Sequence, residues 1–195
     1  MRKRSLNPPL IKALALDLDG TVLNPGKILS QRTLGALEGC RERGLALLIV
    51  TGRAVEAAEK YRAAMDARGP MVYFNGALVA DMPGGAVLSA TLLDLEAVEF
   101  CTGLSRSLGV YYQVFLPGRP QDPRQRLIAE HWGPEAEMYL EHTGIRAEIR
   151  DIPEAIAAPG LGGCIKSMFL AEPEVQDRIR LQLAERFGDS LYVAR

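Results

Sequence analysis

A chain of 195 residues with 48% hydrophobic and 24% charged residues falls in the range of packed globular proteins and outside that of disordered or fibrous ones. Its net charge of −1 supplies no overall field for nucleic acid or an anionic membrane, which excludes binders of either that rely on bulk charge. No apolar run approaches the length of a bilayer span.

Residues 1–12 are locally basic and contain Asn7-Pro8-Pro9, which predicts a poorly ordered tail rather than a signal peptide. Residues 11–18 read as a buried strand that delivers Asp17 and Asp19 at its carboxyl end. Positions two apart in an extended chain share a face, so the two carboxylates address one site. Gly20 lets the backbone turn there, and Thr21 adds a hydroxyl. An ordinary Asp-Gly turn is the bland reading. Against it stands the cost of two unpaired carboxylates side by side, which a cation or a substrate would offset. A calcium loop of the EF-hand type is excluded, because Gly20 follows Asp19 directly and Ile28 stands where the bidentate Glu would be.

Ser30 is the expected N-cap of a helix carrying Leu34 and Leu37, with Gly44 as its C-cap. Residues 45–50 form an unbroken apolar run, expected to be a strand buried on both faces, and Thr51-Gly52-Arg53 follows it. Residues 54–68 read as a helix with Val55, Ala58, Arg62 and Met65 on one side. Residues 71–74 read as a third strand. Asn75-Gly76 lies between two apolar runs, a strong local hairpin signal, and Pro83-Gly84-Gly85 marks a further turn. The change from β-α-β to β-β character places a domain boundary near residue 86.

Beyond it, Asp94 is the expected N-cap of a helix reaching Leu108. Strands are expected over 110–116 and 165–170, and a loop over 117–123. Segments 124–130 and 134–143 read as helical, as does the amphipathic stretch 172–187, which Gly188 stops. Residues 191–193 begin a last strand. Cys40, Cys101 and Cys164 match no disulfide or zinc spacing and predict reduced thiols in a cytoplasmic protein. His131 and His142 show no ligand pattern.

Two strand ends therefore carry chemistry on one edge of a parallel sheet. Thr51-Gly52 opens a helix whose free N–H groups would attract phosphate, beside a carboxylate pair able to hold Mg²⁺ through hard oxygens. The segment Asp17-Leu18-Asp19-Gly20-Thr21-Val22-Leu23, then Thr51-Gly52-Arg53, then Asn75-Gly76-Ala77, resembles the haloacid dehalogenase-like superfamily. It is most similar to its Cof-type branch of sugar-phosphate phosphatases with a large α/β cap. The resemblance implies an α/β fold: a partial Rossmann-like parallel core of three strands over residues 1–86, then an α+β cap over 87–195.

The implied function is Mg²⁺-dependent hydrolysis of a small phosphorylated metabolite through an aspartyl-phosphate. In that scheme Asp17 is the nucleophile and Asp19 the general acid and base. The Asp17 carboxylate and the Asp19 carbonyl hold Mg²⁺, and Thr51 with the Gly52 N–H holds the phosphoryl oxygens. Arg53 either contacts substrate or caps the sheet edge through an ion pair, and Asn75 serves the hairpin turn or the substrate. The family's core Lys and its Gly-Asp-x-x-Asn-Asp motif have no match here. Lys166, at the start of a cap-like strand, and Gly188-Asp189 are read as bystanders, with a substrate-facing role as the alternative for Lys166.

The chain is therefore expected to stop inside the cap, to be inactive alone, and to leave strand one as an open edge. That edge would be covered by the tail or would self-associate. The competing readings are a non-catalytic binding or assembly module and a phosphosugar mutase. Neither nucleic acid nor membrane is expected as a partner.

Overall fold

A computed structural model describes residues 11–118, 125–158 and 163–194. The N-terminal tail and part of the 117–123 loop lie outside the described residues, so the covering of strand one by the tail does too.

The first sheet grows from β-α-β units. Strand β1 (Ala13–Leu16) pairs in parallel with β2 (Ala46–Ile49), Leu16 opposite Ile49. Helix α1 (Gln31–Glu42) connects them. It starts where expected, because the Ser30 hydroxyl accepts the Thr33 amide at 3.1 Å, satisfying a donor the helix itself cannot. After β2 comes α2 (Val55–Met65), then β3 (Gly69–Tyr73). Strands β2 and β3 meet in parallel through Val50 and Val72, where the Thr51 amide donates to the Val72 carbonyl at 2.9 Å. Beside this point the Ile49 amide donates to the buried Met71 sulfur at 3.0 Å instead of extending the ladder. Strands β4 (Leu78–Met82) and β5 (Ala86–Ala90) continue antiparallel from β3. The boundary expected at residue 86 thus meets the first residue of β5, and the chain leaves this sheet only after Ala90.

A second sheet follows, in the order β8-β7-β6-β9. Its strands are β6 (Tyr111–Leu116), β7 (Arg126–Ala129), β8 (Glu148–Ile149) and β9 (Lys166–Leu170). Helices α3 (Leu95–Leu108), α5 (Ile152–Ala157) and α6 (Pro173–Phe187) cover one face, and α4 (Pro134–Thr143) follows β7. Period-two alternation separates the faces. Tyr112, Val114 and Leu116 bury against α3, α5 and α6, whereas Tyr111 and Phe115 bury in one cluster with the first sheet. The Phe115 ring lies 5.1 Å from that of Phe74, so the two sheets share apolar packing.

Several expectations are corrected. Residues 126–129 form a strand rather than a helix, because pairing with β6 and burial of Leu127, Ile128 and Ala129 outweigh local preference. Residues 191–193 form no strand. Helix α5 was not expected, although its signal was present: Asp151 accepts the Glu154 amide at 2.8 Å, a capping pattern written Asp-Ile-Pro-Glu. Strand β1 has Leu14 and Leu16 half-buried and Ala13 and Ala15 exposed, and β2 buries only Leu47 and Ile49. Ile11 and Val50 are exposed, since no described element covers their outer side. Among the described residues β1 pairs with β2 alone.

Candidate active site

Parallel pairing puts the ends of β1, β2 and β3 on one edge, and their loops interlock there. The Asn75 amide donates to the Thr51 carbonyl and the Phe74 amide to the Arg53 carbonyl, both at 3.1 Å. Thr51 is buried, and its Oγ1 accepts the Arg53 amide at 3.2 Å, which curls the loop while leaving the hydroxyl proton free to be donated. A Cβ on Gly52 would lie 2.3 Å from Asn75 Oδ1, so only glycine permits this approach. Asn75 itself has φ +57°, a left-handed conformation that asparagine tolerates. Asn75-Gly76 does not form a two-residue hairpin turn. Tyr73 pairs with Leu78, and the loop of residues 74–77 turns Asn75 against the Thr51-Gly52-Arg53 loop.

Asp17 is exposed, and its carboxylate accepts the Thr21 hydroxyl at 3.3 Å. It has no ion-pair partner among the described residues. Asp19 differs sharply. Arg53 grips it with both ends of its fork, Nε to Oδ2 at 2.6 Å and an amino nitrogen to Oδ1 at 2.8 Å. Lys27 adds a contact at 2.7 Å. The Arg53 hydrogen bonds, more than the opposing burial, hold the Asp19 carboxyl far below the ordinary carboxylate range. Between its two expected roles, Arg53 takes the ion pair in this structure. Its guanidinium also lies 5.1 Å from the centre of the Tyr61 ring, and the Tyr61 hydroxyl donates to the Lys27 carbonyl at 2.9 Å.

Helix α2 begins at Val55, three residues past Gly52, and the Val55 amide donates to Gln125 Oε1 at 3.3 Å. An anion at this edge therefore meets the loop, not the first amide of the helix. The second sheet contributes one more group: the Lys166 ammonium donates to the Gly52 carbonyl at 3.2 Å. Sequence reasoning set Lys166 aside and did not name Lys27, Tyr61 or Gln125. No local pattern marks them: Lys27 returns from the same loop eight residues after Asp19, and Tyr61, Gln125 and Lys166 arrive from other elements.

Among the described residues no three His, Cys, Asp or Glu side chains converge as a metal cage. The donor set fits a weakly held Mg²⁺ all the same: an unpaired carboxylate at Asp17 and a backbone carbonyl at Asp19, with water and ligand oxygens completing the shell.

A family model described as haloacid dehalogenase-like hydrolase matches residues 14–122, which include every one of the strand-end loops. The chain belongs to this family. It is 30% identical over 123 residues to the Bacillus subtilis 5-amino-6-(5-phospho-D-ribitylamino)uracil phosphatase YwtE, a match covering 62% of this chain and 42% of that protein. It is 39% identical over 79 residues to the Escherichia coli pyridoxal phosphate phosphatase YbhA, covering 40% and 29% respectively. The match thus spans less than half of either relative. A haloacid dehalogenase-like hydrolase from Bacteroides thetaiotaomicron superposes with a TM-score of 0.79 at 18% identity, covering 95% of this chain and 68% of that one. The α/β class expected from the sequence, a Rossmann-type core with a cap, is the fold of this family member. No described helix is long and apolar enough to cross a membrane.

Proposed function

We propose that this edge belongs to a phosphatase of small phosphorylated metabolites working through an aspartyl-phosphate on Asp17. The observation that carries the reading is the contrast between the two carboxylates. Asp17 is exposed and has no ion-pair partner among the described residues, so its carboxylate is open to a phosphoryl group, while Asp19 is held close by Arg53 and Lys27. Asp17 attacks phosphorus in line and the ester oxygen leaves. The buried Thr51 hydroxyl and the Gly52 N–H hold the non-bridging oxygens. Asp19 protonates the departing alkoxide and then takes a proton from the water that cleaves the acyl-phosphate. For that, Asp19, ionised in this pair, must first exchange its grip on Arg53 and take up a proton from water, while the Arg53 side chain turns to the substrate anion. Asp17 and the Asp19 carbonyl would hold Mg²⁺, which supplies charge neutralisation for the phosphoryl oxygens. The names of the relatives, phosphatases of a ribitylaminouracil phosphate and of pyridoxal phosphate, favour hydrolysis of a metabolite monoester. The thiols of Cys40, Cys101 and Cys164 are free, which suits a reducing cytoplasm.

The test is phosphate release from an aryl phosphate and from a panel of phosphorylated metabolites, with Mg²⁺ and with chelator. Asp17→Asn is expected to reduce turnover to the buffer rate. Full activity in that variant would refute the assignment of Asp17.

A further inference from the structure

We propose that Lys166 is an anion ligand of this site, reaching from the second sheet to bind the phosphoryl oxygens of the substrate. The inference rests on the phosphatase reading above and adds a residue to it.

The placement follows from register. Lys166 stands opposite Phe115 on the antiparallel β6–β9 pair, and directly opposed residues project to the same face. That face carries Tyr111 and Phe115 and packs on the first sheet, so Lys166 is aimed at the strand-end loops. Its ammonium ends at the Gly52 carbonyl, in the loop proposed to hold phosphate. One hydrogen bond uses one of three donors.

Charge makes the same point. Arg53 and Lys27 already share the Asp19 carboxylate. Lys166 has no carboxylate partner among the described residues. Burial alone pushes its pKa down. A half-buried ammonium without a carboxylate beside it is costly. Its neighbours Cys164 and Ile165 along the chain and Phe115 across the ladder are buried, so the stem of Lys166 leaves an apolar surrounding to reach the loop. An anion arriving at Gly52 would supply the absent charge and draw the second sheet onto the loop.

The test is titration of the full 195-residue chain with inorganic phosphate, followed by ³¹P NMR, for wild type, Lys166→Gln, Lys166→Arg and Thr51→Val, each checked for folding by circular dichroism. Lys166→Gln is expected to weaken phosphate binding by about tenfold or more, and Lys166→Arg to restore most of it. Thr51→Val should weaken binding as well. If Thr51→Val loses phosphate while Lys166→Gln binds as wild type does, the role of Lys166 falls and the phosphatase reading stands. If Lys166→Gln loses phosphate and Thr51→Val does not, the anion sits away from the loop and the phosphatase reading falls. Absence of phosphate binding in the wild-type chain overturns both.

Discussion

Truncating Arg53 tests how the edge is held together. Arg53→Ala removes two charge-assisted hydrogen bonds to Asp19 and the contact with the Tyr61 ring. An exposed ion pair contributes about 0.2–1 kcal/mol. Here the Arg53 side chain is only 16% exposed, but Asp19 is 36% exposed, so solvent screens the pair and about 1 kcal/mol is expected from it. Loss of the cation–π contact adds about 0.5–1 kcal/mol. The variant should therefore unfold about 2 kcal/mol more easily, read from urea denaturation at neutral pH.

A cycle with Asp19→Asn separates the two parts, because the Tyr61 contact is common to both arms. In the Asp19→Asn background, Arg53→Ala should cost only about 1 kcal/mol. The pH dependence has a definite sign. The folded-state pKa of Asp19 is depressed, so the stabilisation is complete above the unfolded aspartate value of about 3.9. It is lost as pH falls through the lower, folded value. Arg53→Ala should also bring the Asp19 titration, followed by NMR, back toward the ordinary range. Equal costs for Arg53→Ala in both backgrounds, with Asp19 titrating unchanged, would refute the ion pair.

Two further outcomes follow from packing at the same edge. Phe115 is 1% exposed and packs at a tilt against Phe74 between the two sheets, so Phe115→Ala should destabilise by about 3–5 kcal/mol, measured by urea denaturation, with amide exchange accelerated in both sheets; acceleration confined to the second sheet would contradict the shared packing. Gly52→Ala places a methyl group 2.3 Å from Asn75 Oδ1, so the amide must swing away at a cost of about 1 kcal/mol, and phosphate release should fall. Adding Asn75→Gly removes the obstructing side chain and suits φ +57°. The double variant should be closer to wild type in stability than additivity predicts, and strict additivity in denaturation would count against the close approach.

What the sequence determined by itself was local. The alternation of a short strand brought Asp17 and Asp19 to its end, and β-α-β order put Thr51 on the same edge. The Ser30 cap bounded α1 at its start, and the expected stop at Gly44 fell one residue past the observed C-cap, Arg43, because a cap acts within one turn. Tertiary structure decided the rest. The segment 126–129 became a strand by pairing with β6, a partner that periodicity over four residues cannot reveal. Asn75 turned out to brace the Gly52 loop, a contact set by the approach of two strand ends. Arg53 chose Asp19 over an open position, and Lys166 reached Gly52 across 114 residues of chain. Each of these depends on which charges and faces the fold brings together, and electrostatic pairing follows distance in space rather than distance along the sequence.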